Sequence, residues 1–276
     1  MAMPAIKAAT IEAPAIEAIG LGKNFGQVIA VDHLDFRVAR GSSAALLGGN
    51  GAGKTTTIAM LLGLLLPSTG TARLFGVDMR HQRYRVLPLI NFSSPYFDMP
   101  RRLTVRQNLA VYGRLYGVEN LKDRINALAE ELDLTALLDQ PIGQLSAGQK
   151  TRSQLAKSAI NEPAILFLDE PTASLDPDTA DWVRGWLEWY RKRTGATLFL
   201  ASHNMAEVER LCDDVLMLKA GRLVDRGTPA ALIARYGRLT LEEVFLDIAR
   251  GRLGELDSRQ PTKAADQFAD RRRRPS

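Results

Sequence analysis

The chain has 276 residues, 46% hydrophobic and 24% charged, a globular composition long enough to bury a core without covalent staples. A single cysteine, Cys212, excludes an intrachain disulfide and suits a reducing, cytoplasmic setting. Of the net charge of +5, residues 257–276 carry +3, six basic residues against three acidic ones, so the body is near neutral. The basic balance is therefore no sign of a nucleic-acid partner.

The longest uncharged apolar run, Ile58 to Leu66, contains a glycine and falls well short of the about 20 residues a spanning helix needs. Met1 to Pro14 lacks the apolar stretch of a signal peptide. Work at a membrane would then run through a partner or a surface contact. Residues 1–15 and the tail 257–276, with its Arg271–Arg274 run, are expected to be disordered ends.

In chain order, Val31 to Val38 alternate apolar and polar, which predicts a half-buried strand, and Ala44 to Leu47 read as a wholly apolar one. A glycine-rich turn leads into a helix expected over Lys54 to Leu65, broken by Pro67, Ser68, Thr69 and Gly70. Three helices follow: one capped by Thr104 and reaching Tyr116, one over Leu121 to Leu132, one from Ala147 to before Pro163. Strand and helix then alternate: Ile165 to Leu168, Thr179 to Arg193, Thr197 to Ala201, Met205 to Cys212, Val215 to Leu218. This order predicts an α/β fold with a mostly parallel, covered sheet and a helical insertion at about 98–160.

Two motifs carry chemistry. Gly48, Gly49, Asn50, Gly51, Ala52, Gly53, Lys54 and Thr55 follow G-x-x-x-x-G-K-[ST] between an apolar strand and a helix. Glycines let the backbone curl so that several N–H groups meet one phosphate, and the helix N-terminus adds a favourable dipole. In such a loop Lys54 reaches the β- and γ-phosphates and the Thr55 hydroxyl holds Mg²⁺. The second motif is four apolar residues, Ile165 to Leu168, ending in Asp169 and Glu170. A strand holds such a pair rigidly at its C-terminal end, where open α/β sheets bind ligands. Asp169 suits the metal and Glu170 suits a base that activates water.

Between these motifs lie Leu145, Ser146, Ala147, Gly148 and Gln149, with Ser146 standing 23 positions before Asp169. Downstream come Ala173, Ser174, Leu175 and Asp176, and later Ser202 and His203. Order and spacing closely resemble the nucleotide-binding domain of ABC ATPases over about residues 16–237. The resemblance implies a P-loop NTPase core, an N-terminal antiparallel β portion and the inserted helical subdomain. It implies ATP and Mg²⁺ as cofactors, with the phosphates held by residues 48–54, Thr55 and Thr56. It also implies that Ser146, Gly148 and Gln149 meet ATP on a second ABC chain, so that two chains, a homodimer in the simplest case, sandwich two ATPs head to tail. Ser174, Leu175 and Asp176 resemble the loop that crosses this interface, His203 the residue that senses the γ-phosphate, and Phe25 the aromatic that stacks on adenine. Blander roles coexist: Ser146 suits a helix cap, and Phe25 suits a core aromatic.

Two positions depart from the family pattern. Gly49 stands where proline is common. No glutamine occurs between Gln82 and Gln107, although the family has one near Ser94 or Pro95 that links the Mg²⁺ site to the membrane partner. Ser93 and Ser94 are left as sources of a hydroxyl. Residues 238–256 are expected to form a C-terminal helical extension, and Leu241 to Leu246 within it resemble a feature of drug, polysaccharide and lipid exporter subunits. The resulting reading is an ATP hydrolase at the cytoplasmic face of the membrane, driving a separately encoded integral permease through the helical insertion and the loop near Tyr96 and Phe97. The alternative is a soluble ABC ATPase acting on ribosomes or nucleic acid. Against it stand a single ATPase unit, no sustained heptads and too few cysteines for a zinc site.

Overall fold

The structure, a computed structural model, describes residues 13–94 and 98–251. The expectations for the first 12 residues, for Pro95, Tyr96 and Phe97, and for the tail with Arg271–Arg274 lie outside the described residues.

β1 (Ile16–Phe25) and β2 (Val28–Val38) form an antiparallel hairpin. β3 (Ser43–Gly48) follows, then the glycine loop and α1 (Lys54–Leu61). β4 (Thr69–Leu74) and β5 (Val77–Asp78) return to the hairpin, giving an antiparallel sheet of order β2-β1-β4-β5. After β6 (Ile90–Ser93) the chain leaves the sheets for α2 (Val105–Leu115), α3 (Leu121–Glu131) and α4 (Ala147–Ala159). It re-enters with β7 (Ile165–Asp169), α5 (Pro177–Thr194), β8 (Thr197–Ser202), α6 (Met205–Leu211) and β9 (Asp214–Lys219). β10 (Arg222–Gly227), α7 (Pro229–Tyr236) and α8 (Leu241–Arg250) close the described chain.

The second sheet has the order β10-β9-β3-β8-β7-β6, parallel except for the edge strand β10. Its central strands are apolar throughout because both faces are covered. Leu166, Leu168, Leu198 and Leu200 face the core shared with the helical insertion. The intervening Ile165, Phe167, Phe199 and Ala201 face the core shared with α1 and the antiparallel sheet. Phe199 anchors the second core, stacked on Phe36 at 6.0 Å and edge-on to Phe167 at 5.7 Å. Truncating it to alanine would cost about 3–5 kcal/mol.

Local signals place most element ends. Thr104 and Ser146 each accept from the amide three residues on, and Gln107 and Gln149 answer onto the Thr104 and Ser146 amides, a complete capping box at α2 and at α4. α1 is shorter than the apolar pattern predicts, ending at Leu61 rather than Leu65. Gly63 takes a left-handed φ of 69°, and the amides of Leu64 and Leu65 turn back onto Ala59 O at 2.9 and 3.1 Å, which terminates the helix before Pro67. α8 occupies part of the segment expected to form the C-terminal extension.

Candidate functional site

β3 delivers the glycine loop to the C-terminal edge of the sheet. Gly51 and Gly53 sit at φ 77° and 100°, a region side chains rarely enter. A Cβ at Gly53 would lie 2.6 Å from Ala30 O, and one at Gly48 would lie 2.7 Å from Leu218 O and 2.8 Å from Ala52 Cβ. The loop therefore needs glycine at both ends. Gly49 is different: its φ is not left-handed and a Cβ there meets nothing within 4 Å, so the departure at this position leaves the shape of the loop unaltered.

Lys54 is buried and arches back over the loop, its Nζ donating to Gly48 O at 2.6 Å and Gly49 O at 3.3 Å. No side chain caps α1 and no acidic residue occupies its first turn. The first-turn amides are thus offered to an anion, in the field of the helix dipole. Thr57, one turn in, spends its hydroxyl on Gly53 O at 2.8 Å. Thr55 is exposed and Thr56 half-buried. Neither has a side-chain hydrogen bond among the described residues, which leaves both hydroxyls for a ligand.

The parallel ladder sets Leu168 against Leu200 and Asp169 against Ala201, so the ends of β7 and β8 lie side by side. Asp169 is buried. Burial pushes its carboxyl above the usual range and the charge of Glu170 adds to this, while Lys54 and a hydrogen bond from the Ser94 side chain oppose it. Ser94 is also buried. The β6–β7 register pairs Ser93 with Leu168, and the next step along both strands sets Ser94 beside Asp169. Of the two hydroxyls the sequence offered, Ser94 is the buried one beside the aspartate, whereas Ser93 is the half-buried end of β6.

Glu170 turns out of the ladder in the left-handed region, φ 50°, with its amide still bonded to Ala201 O at 2.8 Å. Its Oε2 lies 2.7 Å from Nδ1 of the exposed His203 and accepts the His203 amide at 3.3 Å. Behind them, Ser202, Thr172 and Glu207 form a buried polar group. Sequence reasoning passed over Glu207, because Asn204-x-x-Glu207 has the spacing of a capping box and gives no local sign of burial.

The remaining candidates are placed apart. Ser146 and Gln149 cap α4 reciprocally, at 3.3 and 2.9 Å, and Gly148 faces Thr179 on α5. Among the described residues no hydrogen bond or ion pair joins Ser146, Gly148 or Gln149 to the glycine loop or to the acid pair. Ser174 is left-handed at φ 62° and Asp176 caps α5 through the Thr179 amide at 2.9 Å. Phe25 is 51% exposed at the hairpin tip, with Lys23 Nζ 5.2 Å from its ring centre, so it is no core aromatic.

A phosphate loop at the C-terminal edge of a parallel sheet, with an acid pair on the strand tip two places along, defines a P-loop ATPase. Residues 31–173 match the ABC transporter family. Nod factor export ATP-binding protein I of Ralstonia nicotianae is 36% identical over 240 residues, covering 85% of this chain and 73% of that protein. The protein of the same description from Burkholderia lata is 40% identical over 222 residues, covering 76% and 70%. The fold is similar to a solved ATP binding subunit of an ABC transporter, at a TM-score of 0.78 and 25% identity over 85% of this chain and 99% of that one. It is also similar to cbiO1 of Clostridium perfringens, part of the ABC transporter complex cbiONQ, at 0.72 and 27% over 89% and 99%. The chain belongs to the ABC transporter family, as an ATP-binding subunit that hydrolyses ATP for transport. Among the described residues no helix is long and apolar enough to cross a membrane.

Proposed function

We propose that the chain binds MgATP, pairs head to tail with a second ABC chain, and powers export through a separate integral permease from the cytoplasmic face of the membrane. The supporting observation is the division of the site. Lys54, Asp169, Glu170 and His203 gather at one sheet edge, while Ser146 and Gly148 sit at the head of α4 with no bond to that edge among the described residues. A second chain supplies the missing contact. The relatives above are Nod factor export ATP-binding proteins by name, and the Leu241–Leu246 stretch in α8 agrees with export.

The residues present fit the nucleotide and the metal. The loop keeps glycine at Gly48 and Gly53, where a Cβ would clash, and the first-turn amides of α1 carry no side-chain cap. The Thr55 hydroxyl and the Asp169 carboxyl are the hard oxygen donors that Mg²⁺ prefers. Mg²⁺ bound there would neutralise charge on the phosphates. Lys54 pairs with the β- and γ-phosphates, and Phe25 offers a ring face to the adenine. Glu170 takes a proton from the attacking water, whose oxygen bonds to the γ-phosphorus as the bond to ADP breaks. His203 holds Glu170 through the 2.7 Å contact and reaches the γ-phosphate from its exposed side.

The test is gel filtration of Glu170→Gln with ATP, with and without Ser146→Arg. The parent is expected to shift to a dimer on ATP, and Ser146→Arg to bind ATP yet stay monomeric. Equal dimer in both would overturn the head-to-tail reading.

A further inference from the structure

α6 breaks a pattern that α2 and α4 keep. At those two helices the third residue, Gln107 or Gln149, returns its side chain to the N-cap amide at 2.9 Å. In α6 the cap is Asn204, whose Oδ1 accepts from Glu207 N at 3.3 Å, and Glu207 holds the equivalent third position. Its side chain does not return. The Asn204 amide donates instead to Ser202 Oγ at 3.0 Å, and Glu207 turns inward to full burial. There its Oε2 accepts from Ser202 Oγ at 2.5 Å, with the buried Thr172 beside it. Oε1 has no partner among the described residues. A buried carboxyl half satisfied is costly, so its retention calls for a reason.

The places of Ser202 and Thr172 supply one. Thr172 lies two residues beyond Glu170 on the segment leaving β7, and Ser202 ends β8 immediately before His203. One carboxyl thus holds the second of these segments by a hydrogen bond and lies against the first, and the side chains of the two segments meet at 2.7 Å. The tie acts where the backbone is under strain, since Glu170 is left-handed at φ 50°, a conformation that persists only when its surroundings hold it. Besides its own bond to Ala201, the Glu170 peptide is braced by Ala173 N donating to Glu170 O at 3.0 Å. Burial pushes the Glu207 carboxyl up, the Ser202 and Thr172 hydrogen bonds oppose this, Glu170 raises it and Arg184 lowers it.

We propose that Glu207 is a positioning residue for ATP hydrolysis, holding Ser202 beside Thr172 so as to fix the approach of His203 to Glu170 without itself touching the nucleotide. This rests on Glu170 being the general base. Misplacing a base by about 1 Å costs up to about a hundredfold in rate, whereas nucleotide affinity rests on the glycine loop, to which Glu207 has no hydrogen bond among the described residues. The loss should therefore fall on kcat and spare KM.

The test is steady-state ATP hydrolysis by the purified full chain, with binding of a fluorescent ATP analogue measured beside it. Glu207→Ala and Ser202→Ala are expected to lower kcat about tenfold to a hundredfold, with KM and analogue affinity within about twofold. Glu207→Gln keeps a carbonyl oxygen to accept from the hydroxyls and is expected to stay within about threefold of wild type. Ser202→Ala removes one hydroxyl only and decides the matter if Glu207→Ala does not fold. Unchanged kcat in Ser202→Ala, a loss confined to KM, or Glu207→Gln as slow as Glu207→Ala would overturn the role. Glu170→Gln is run in parallel. If it alone is slow, the positioning role fails and the base stands; if it turns over normally, the base assignment fails and the positioning role with it.

Discussion

His203 Nδ1 lies 2.7 Å from Glu170 Oε2, and the His203 amide donates to the same oxygen at 3.3 Å. Two residues 33 positions apart thus share one carboxylate oxygen, one through its ring and once more through its backbone. The contact leaves the second oxygen of Glu170 for a water and keeps the imidazole at the exposed mouth of the site.

Glu170→Gln preserves size and hydrogen bonding but removes the base. Turnover is expected to fall about 10²–10⁴-fold with ATP binding intact. Steady-state hydrolysis beside equilibrium binding checks this, and wild-type turnover would remove Glu170 from the chemistry.

Lys54→Ala removes the one cation that arches over the loop. A hydrogen bond to a charged group contributes about 1.5–3 kcal/mol, so ATP affinity is expected to fall on the order of 10- to 100-fold. Calorimetric titration measures it. Unchanged affinity together with unchanged turnover would refute the loop assignment.

Ser94→Ala removes the hydroxyl beside the buried Asp169. Because this hydroxyl supports the aspartate and Thr55 offers its own to the metal, turnover is expected to change by less than about tenfold, or ~1.4 kcal/mol. Thr55→Ala is expected to hurt far more. A Mg²⁺ titration of the rate separates the two. A dead Ser94→Ala beside an active Thr55→Ala would require the metal site to be redrawn.

Lys157 joins the helical insertion to the core, its Nζ donating to Phe92 O at 2.8 Å and lying 5.4 Å from the Tyr112 ring centre. Burial pushes its amine from 10.5 down to about 8. Below pH 8 both folded and unfolded chains hold this proton, and the cost of burying the charge is fully present. Between pH 8 and 10.5 the unfolded chain binds more protons, so this group makes stability rise with pH. The slope is at most about 1.4 kcal/mol per pH unit. Denaturant unfolding at several pH values is expected to show this component in the wild type and not in Lys157→Met, and parallel curves would exclude it.

The phosphate loop was legible because its logic is local. Three of its glycines answer to φ or to a close approach within the loop's own turn, and Lys54 follows them directly on the helix. The strand tip with Asp169 and Glu170 was legible for the same reason, as were the capped starts of α2 and α4. Strands β1, β4, β5, β6 and β10 were not individually predicted. The pairing that defines them depends on neighbours far along the chain, β6 and β10 forming sheet edges and β5 having only two residues. The end of α1 was misjudged because the apolar run continues past Gly63 while the backbone does not.

Sequence alone thus determined the loop, the acid pair, the helix caps and the order of elements that placed the chain in its family, since each depends on residues adjacent in the chain. Tertiary structure alone decided that Ser94 lies beside Asp169, that His203 closes on Glu170, and that Glu207 leaves its capping role to bind Ser202. Those contacts follow from the register of β6, β7 and β8. Register is a non-local property: the parallel ladder brings strand ends together across long stretches of intervening chain, and no short spacing in the sequence encodes it.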